Sequence, residues 1–175
     1  MIKIYITDLA AYNNGHLIGE WIELPMDEEK LQGKITEILS TGAEVCGDGE
    51  HEEIFITDYE SEFMRINEYD SIKKLNEIAE AVEGLGENEL KAIRFLMDNN
   101  LANDFEEAIE RYEDVIIHEN VTMEDIAYDF INECYGVDSL PSIIANNIDY
   151  EAIGRELEMD GRYFEVDSDI FEYLG

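Results

Sequence analysis

Met1-Ile2-Lys3-Ile4-Tyr5-Ile6-Thr7-Asp8 opens the chain, and its alternation decides how the first third folds. Ile2, Ile4 and Ile6 fall on one side of an extended backbone, and Lys3, Tyr5 and Thr7 on the other. That is the two-residue period of a half-buried strand. Working outward, Asn13-Asn14-Gly15 is a turn signal and His16 to Leu24 supplies a second strand, which predicts a hairpin with a longer loop. Pro25 ends it. Asp27 to Ser40 carries Leu31, Ile35, Ile38 and Leu39 at helical spacing. Gly42 and Gly47-Asp48-Gly49 are expected to break the chain before Ile54-Phe55-Ile56 forms a third strand. A small antiparallel sheet packed by one helix is the assembly these elements predict.

Further along, Ile72, Leu75, Ile78, Ala79 and Val82 make one apolar helical stripe, stopped by Gly84-Leu85-Gly86. Leu90, Ile93, Leu96 and Met97 make another, and Phe105, Ala108, Ile109 and Tyr112 a third. Val115-Ile116-Ile117 reads as a short strand. Thr122 begins a capping box with Asp125 in the place usually held by Glu or Gln. The helix it starts is expected to bury Met123, Ile126, Ala127, Phe130, Ile131 and Cys134. Pro141 sits early in a short helix, Asp149 or Tyr150 to Glu158 gives one more, and Arg162 to Val166 reads as a closing strand.

The fold class is therefore α+β, laid out as three small domains in a row: an N-terminal α+β domain over 1–61, a helical middle domain over 62–103, and a C-terminal α+β domain over 104–175. An elongated chain is expected. The three segments carry net charges of -11, -4 and -18, so the acid is spread throughout and is densest in the last.

The whole chain has 44 Asp and Glu against 11 Lys and Arg, a net charge of -33 over 175 residues. A phosphate-binding face needs clustered cations, so direct nucleic-acid binding is excluded, and attachment to anionic membranes is disfavoured for the same reason. Such a charge often means disorder, but 45% of the residues are hydrophobic and the chain can build a core. There is no apolar run long enough to cross a membrane, and the N-terminus does not read as a signal peptide. Cys46 and Cys134 lie far apart with no zinc-ligand spacing, and read as reduced thiols of a cytoplasmic protein.

The acids are also patterned. Asp125, Asp129 and Glu133 stand at i, i+4 and i+8 on one helix face with no base between them. Like charges at this spacing destabilise a helix by about 0.2–0.5 kcal/mol per pair. The preceding helix repeats the pattern with Glu106 and Glu110, and one row over with Glu107 and Asp114; Arg111 alone interrupts. Mixed charges would have served solubility better. Tolerated repulsion of this kind points to a useful negative field.

Competing chemistry finds less support. No window fits an EF-hand: with Asp149 first, Ile153 falls where an acid is needed and Asp160 replaces the terminal Glu. Cys46 and His51 form a C-x4-H pair without partners, and His16 and His118 are scattered. No GxSxG, P-loop or Rossmann fingerprint occurs. The expectation is a protein that is not an enzyme, with no catalytic residues, no cofactor and no metal. Adaptation to high salt is a further reading of excess acid, opposed by the Ile-rich core.

The run Tyr5-Ile6-Thr7-Asp8-Leu9-Ala10-Ala11-Tyr12-Asn13-Asn14-Gly15, continuing to Gly19-Glu20-Trp21-Ile22, resembles the opening of the ArdA antirestriction proteins. Asn147-Ile148-Asp149-Tyr150-Glu151-Ala152-Ile153-Gly154-Arg155-Glu156-Leu157 is similar to that family's C-terminal signature. The two matches bracket nearly the whole chain, in order.

The resemblance implies a DNA mimic. ArdA proteins travel on conjugative plasmids and transposons and inhibit type I restriction-modification enzymes in the recipient cell. They are described as three small domains in a row forming an elongated, curved homodimer that imitates bent B-form DNA. The resemblance places a short antirestriction motif between Ile126 and Leu140, and the dimer contact in the last domain. The longest apolar, charge-poor stretch there is Tyr135-Gly136-Val137 with Leu140 to Ile144, so Tyr135, Val137, Leu140, Ile143 and Ile144 are the expected interface. The partner is the DNA-binding groove of the methyltransferase core, blocked by occupancy. Two alternatives stay open: an acidic binding module for another basic DNA-binding protein, and a divalent-cation-binding protein.

Overall fold

A computed structural model describes all residues, 1–175. The chain divides into two compact units, Met1–Ile109 and Glu110–Gly175. The class is α+β, as the patterning predicts.

In the first unit, strand β1 (Ile2–Asp8) lies between β2 (Gly19–Leu24) and β3 (Ile54–Ser61), antiparallel to both. Ile2, Ile4 and Ile6 have no exposed surface. Burying each stabilises the fold by about 1.5–3 kcal/mol. On the opposite face Lys3 sits across from Glu23 on one side and Glu60 on the other, and pairs with both at 3.3 and 3.7 Å. Those carboxylates hold its ammonium above the usual lysine range, Glu23 most of all.

The connection between β1 and β2 holds a short helix α1 (Leu9–Asn13), which alternation alone does not announce. Asp8 caps it by accepting from the Ala11 N–H at 2.9 Å, and Asn13-Asn14-Gly15 becomes the helix's exit, with Gly15 at φ 86°. Helix α2 (Glu28–Cys46) likewise outruns its expected end at Ser40. Gly42 does not break it, because that position is buried against Asp8 and a side chain there would collide with the carboxylate. The helix stops at Gly47, which is left-handed at φ 68°.

Helices α3 (Ile72–Ala81) and α4 (Glu87–Asp98) bury Leu75, Ile78 and Ala79, and Ile93, Phe95 and Leu96, respectively. Buried Asn76 clamps the β2–α2 connection, accepting from the Met26 N–H at 2.7 Å and donating to its carbonyl at 2.9 Å. Helix α5 (Phe105–Arg111) contains the boundary between the units.

In the second unit, β4 (Val115–His118), β5 (Tyr163–Val166) and β6 (Asp169–Tyr173) form an antiparallel sheet in the order β4-β6-β5. Its central strand β6 is absent from the sequence reading. The Asp167-Ser168 turn, with Asp167 left-handed at φ 56°, makes a tight hairpin of what reads as a charged tail. Helix α6 (Met123–Tyr135) packs with α8 (Tyr150–Met159), and a single turn, α7 (Ser142–Ala145), lies between them. Gly154 of α8 permits the close approach: a Cβ there would lie 2.6 Å from the Met123 carbonyl oxygen.

Candidate functional site

The core of the second unit is small. Ile126, Tyr163 and Ile170 form its buried cluster, with Val121, Met123 and Leu157 against it. Helix α6 is longer than this core, so its apolar stripe is only partly covered. Ile126 and Ala127 are buried as expected, but Phe130 is 39% exposed and Cys134 is also exposed, with Ile131 in between. The expected burial of Phe130 and Cys134 is thus corrected: the core ends before the helix does.

The start of α6 has the predicted geometry. The Thr122 hydroxyl accepts from the Asp125 N–H at 3.3 Å, and the Asp125 carboxylate accepts from the Thr122 N–H at 2.8 Å and its hydroxyl at 2.7 Å. The Thr122 hydroxyl, then its backbone N–H, holds the Asp125 carboxyl below its usual range. Asp129 and Glu133 follow at successive turns, exposed, their side chains in no ion pair or hydrogen bond. At 1.5 Å rise per residue the three carboxylates recur about every 6 Å.

The acids around α5 split by role. Glu106 and Glu110 are exposed and make no ion pair. Glu107 is half-buried and accepts from the Asn103 backbone at 2.8 Å and its amide side chain at 2.7 Å. Asp114 is half-buried, with Arg111 Nε at 3.4 Å. Glu106 and Glu107 belong to the first unit, and Glu110 and Asp114 to the second, with Asp125, Asp129 and Glu133.

Of the expected interface residues, Tyr135, Ile143 and Ile144 are 64%, 77% and 52% exposed, while Val137 and Leu140 are half-buried. These large apolar side chains are open to solvent on a unit that holds 18 acids against 3 bases.

The charge is on the surface. Asp8 and Glu172 are the only buried carboxylates of the 44. Eight of the eleven Lys and Arg are tied into ion pairs, the longest 3.7 Å, so little free positive charge remains. The groove between α2 and α3 follows the same rule: Leu31, Ile35 and Ile72 line it with Glu28, Glu77 and Glu80, and its one cation, Lys73, pairs with Glu28 at 3.6 Å.

Sequence reasoning missed both buried carboxylates. Asp8 meets His51 Nδ1 at 2.6 Å, and His51 Nε2 meets Asp48 at 2.8 Å. Glu172 on β6 gathers His118 Nε2 at 3.0 Å, Arg162 at 2.6 Å and the Tyr163 hydroxyl, which donates to it at 3.3 Å. Burial, then the Glu172 charge, pushes the Tyr163 hydroxyl above the usual tyrosine range. Period-two alternation would have flagged Glu172, which breaks the apolar run of β6 from inside. Nothing in the pattern joins His51 to Asp8.

These features define an acidic α+β protein nearly all of whose carboxylates face solvent and most of whose cations are paired with its own acids. The family model described as Antirestriction protein (ArdA) matches residues 4–172. The chain therefore belongs to the ArdA antirestriction family, a family of inhibitors. No curated protein matches it. No helix is long and apolar enough to cross a membrane.

Proposed function

We propose that this antirestriction protein is a DNA mimic that enters the DNA-binding groove of type I restriction-modification enzymes and inhibits them without catalysis, in the cytoplasm. The observation that carries this reading is the asymmetry of the surface: nearly all carboxylates reach solvent while most cations are already paired with acids. A groove that holds duplex DNA must be lined with Lys and Arg, and an acidic surface complements it by Coulombic attraction, which also accelerates encounter. The net charge of -33 equals the phosphate charge on roughly 56 Å of duplex.

Glu106, Glu107, Glu110, Asp114, Asp125, Asp129 and Glu133 belong to this surface in the proposal. Glu106, Glu110, Asp129 and Glu133, whose side chains make no ion pair or hydrogen bond, supply its freest charges. With no base edges to present, the protein binds whatever sequence its target recognises. A homodimer through Tyr135, Val137, Leu140, Ile143 and Ile144 covers the exposed apolar side chains, and the domains 1–61, 62–103 and 104–175 are retained as its segments.

Competition tests the proposal. Duplex DNA should displace the protein from a type I methyltransferase core, and the two should never be bound together. Simultaneous binding would falsify mimicry and favour a module for some other basic protein.

A further inference from the structure

We propose that Cys46, Asp48 and His51 bind one divalent ion of the zinc class, with Asp8 holding the histidine in the liganding orientation. The Cys46 Sγ, a carboxylate oxygen of Asp48 and a ring nitrogen of His51 all lie within 4.8 Å of one another. All are in the first unit, where α2 ends and the chain turns back toward β3. Thiolate, imidazole and carboxylate together suit zinc, whereas calcium and magnesium select oxygen alone.

The histidine is what makes this more than a cluster of acids. Its side chain is only 3% exposed, and its Nδ1 lies 2.6 Å from the Asp8 carboxylate, which itself has no exposed surface. Asp8 is fixed in turn by the Ala11 N–H at 2.9 Å. A buried carboxylate on one ring nitrogen leaves the other to bind a cation, the carboxylate–histidine–metal arrangement that sets tautomer and ring orientation. Nε2 faces Asp48 Oδ1 at 2.8 Å, and the carboxylate's other oxygen accepts from the Asn14 amide at 3.0 Å.

The adjustment required is small. Tetrahedral zinc, at about 2.0–2.2 Å from nitrogen and oxygen and about 2.3 Å from sulfur, separates N from O by about 3.3 Å and S from either by about 3.6 Å. The Nε2–Asp48 gap must therefore widen by about 0.5 Å. The sulfur closes by little more than about 1 Å from the outer limit of the cluster. Asp48 is exposed and stands between Gly47 and Gly49, so its movement displaces no core residue. Three protein ligands leave a fourth position for water, and a thiolate plus a carboxylate neutralise the dication. The strongly negative protein concentrates cations around it. The bound ion would tie the C-terminal end of α2, through His51 and Asp8, to β1.

Cobalt(II), added to the metal-free protein, is the probe. One equivalent should saturate a thiolate-to-cobalt charge-transfer band with tetrahedral ligand-field absorption, and zinc should bleach both. Cys134→Ser should leave the spectrum unchanged. Cys46→Ser should lose the charge-transfer band while Trp21 fluorescence and circular dichroism report an intact fold. Asp8→Asn should weaken binding 10–100-fold, the usual scale for an outer-shell partner. Cobalt held only by scattered carboxylates gives no thiolate band; that result, or a band that follows Cys134, overturns the proposal.

Discussion

Helix α2 contains two glycines, and the same substitution at each should move stability in opposite directions. Gly33 is exposed, and a Cβ built on it meets nothing within 4 Å. Gly33→Ala then removes only the helix-propensity penalty of glycine and should stabilise the first unit by about 0.8–1 kcal/mol. Gly42→Ala gains the same term, but its Cβ would collide with the Asp8 carboxylate and come within 3.0 Å of His51 Nδ1. Overpacking of this kind costs about 1–3 kcal/mol. The neighbour that must give way is buried and already committed to the Ala11 N–H and His51, which places the cost toward the upper end. The propensity gain is common to both, so the two variants should differ by the overpacking cost, about 2–3 kcal/mol. With a urea slope of about 1–3 kcal/mol/M, their midpoints should lie about 1–2 M apart, on either side of the parent. Trp21, the single tryptophan, lies on β2 with its ring 5.4 Å from that of Tyr5, so its fluorescence follows this unit alone. The measurement belongs in chelator, so that no cation contributes. Midpoints that shift the same way in both variants would refute the assignment of Gly42 to the Asp8 contact.

Neutralising Asp129 and Glu133 together with Asn and Gln should weaken binding to a type I methyltransferase core by about the sum of the single changes, each about 0–1 kcal/mol, and should reduce its salt dependence; a collapse at one residue would mean a discrete site. Added salt should raise the midpoint of urea unfolding while lowering affinity for that core, because the same screening relieves self-repulsion and weakens attraction; parallel effects would contradict this. Asp125, held low by Thr122, contributes stability that is present above the ordinary aspartate pKa and lost as pH falls through its depressed value. Thr122→Val should therefore flatten the acid limb of the second unit's unfolding, followed by circular dichroism, and an unchanged limb would remove the capping pair from that role. Ile143→Glu with Ile144→Glu should yield a folded monomer by sedimentation if these side chains form the dimer contact, whereas an unaltered dimer would place it elsewhere.

The elements of the chain that were legible in its sequence were those whose period is set by a core facing one way. Ile2, Ile4 and Ile6 read as a strand because the sheet buries one face, and the stripes of α3 and α4 read as helices for the same reason. The capping box at Thr122 is local chemistry and needed no tertiary information. Failures came where a distant residue decides. Gly42 reads as a break but is a point of close approach to Asp8, 34 positions earlier. Phe130 and Cys134 continue a valid stripe past the end of a core whose size the helix itself does not encode. The acidic face was visible as spacing, yet spacing could not separate Asp129 and Glu133, whose side chains make no ion pair or hydrogen bond, from Glu107 and Asp114, which hold backbone and Arg111.

That separation has a consequence for how such a surface can change over generations. Asp125 serves as a charge and also as the lock on the first turn of α6, so its replacement alters folding as well as potential. Asp129 and Glu133 carry no such second duty. A lineage meeting a new target can exchange, move or delete those outward acids one at a time, each step nearly neutral for the fold. Asp125 stays anchored by its helix. The rim of charge is the part free to drift, and the cap is the fixed point from which it drifts.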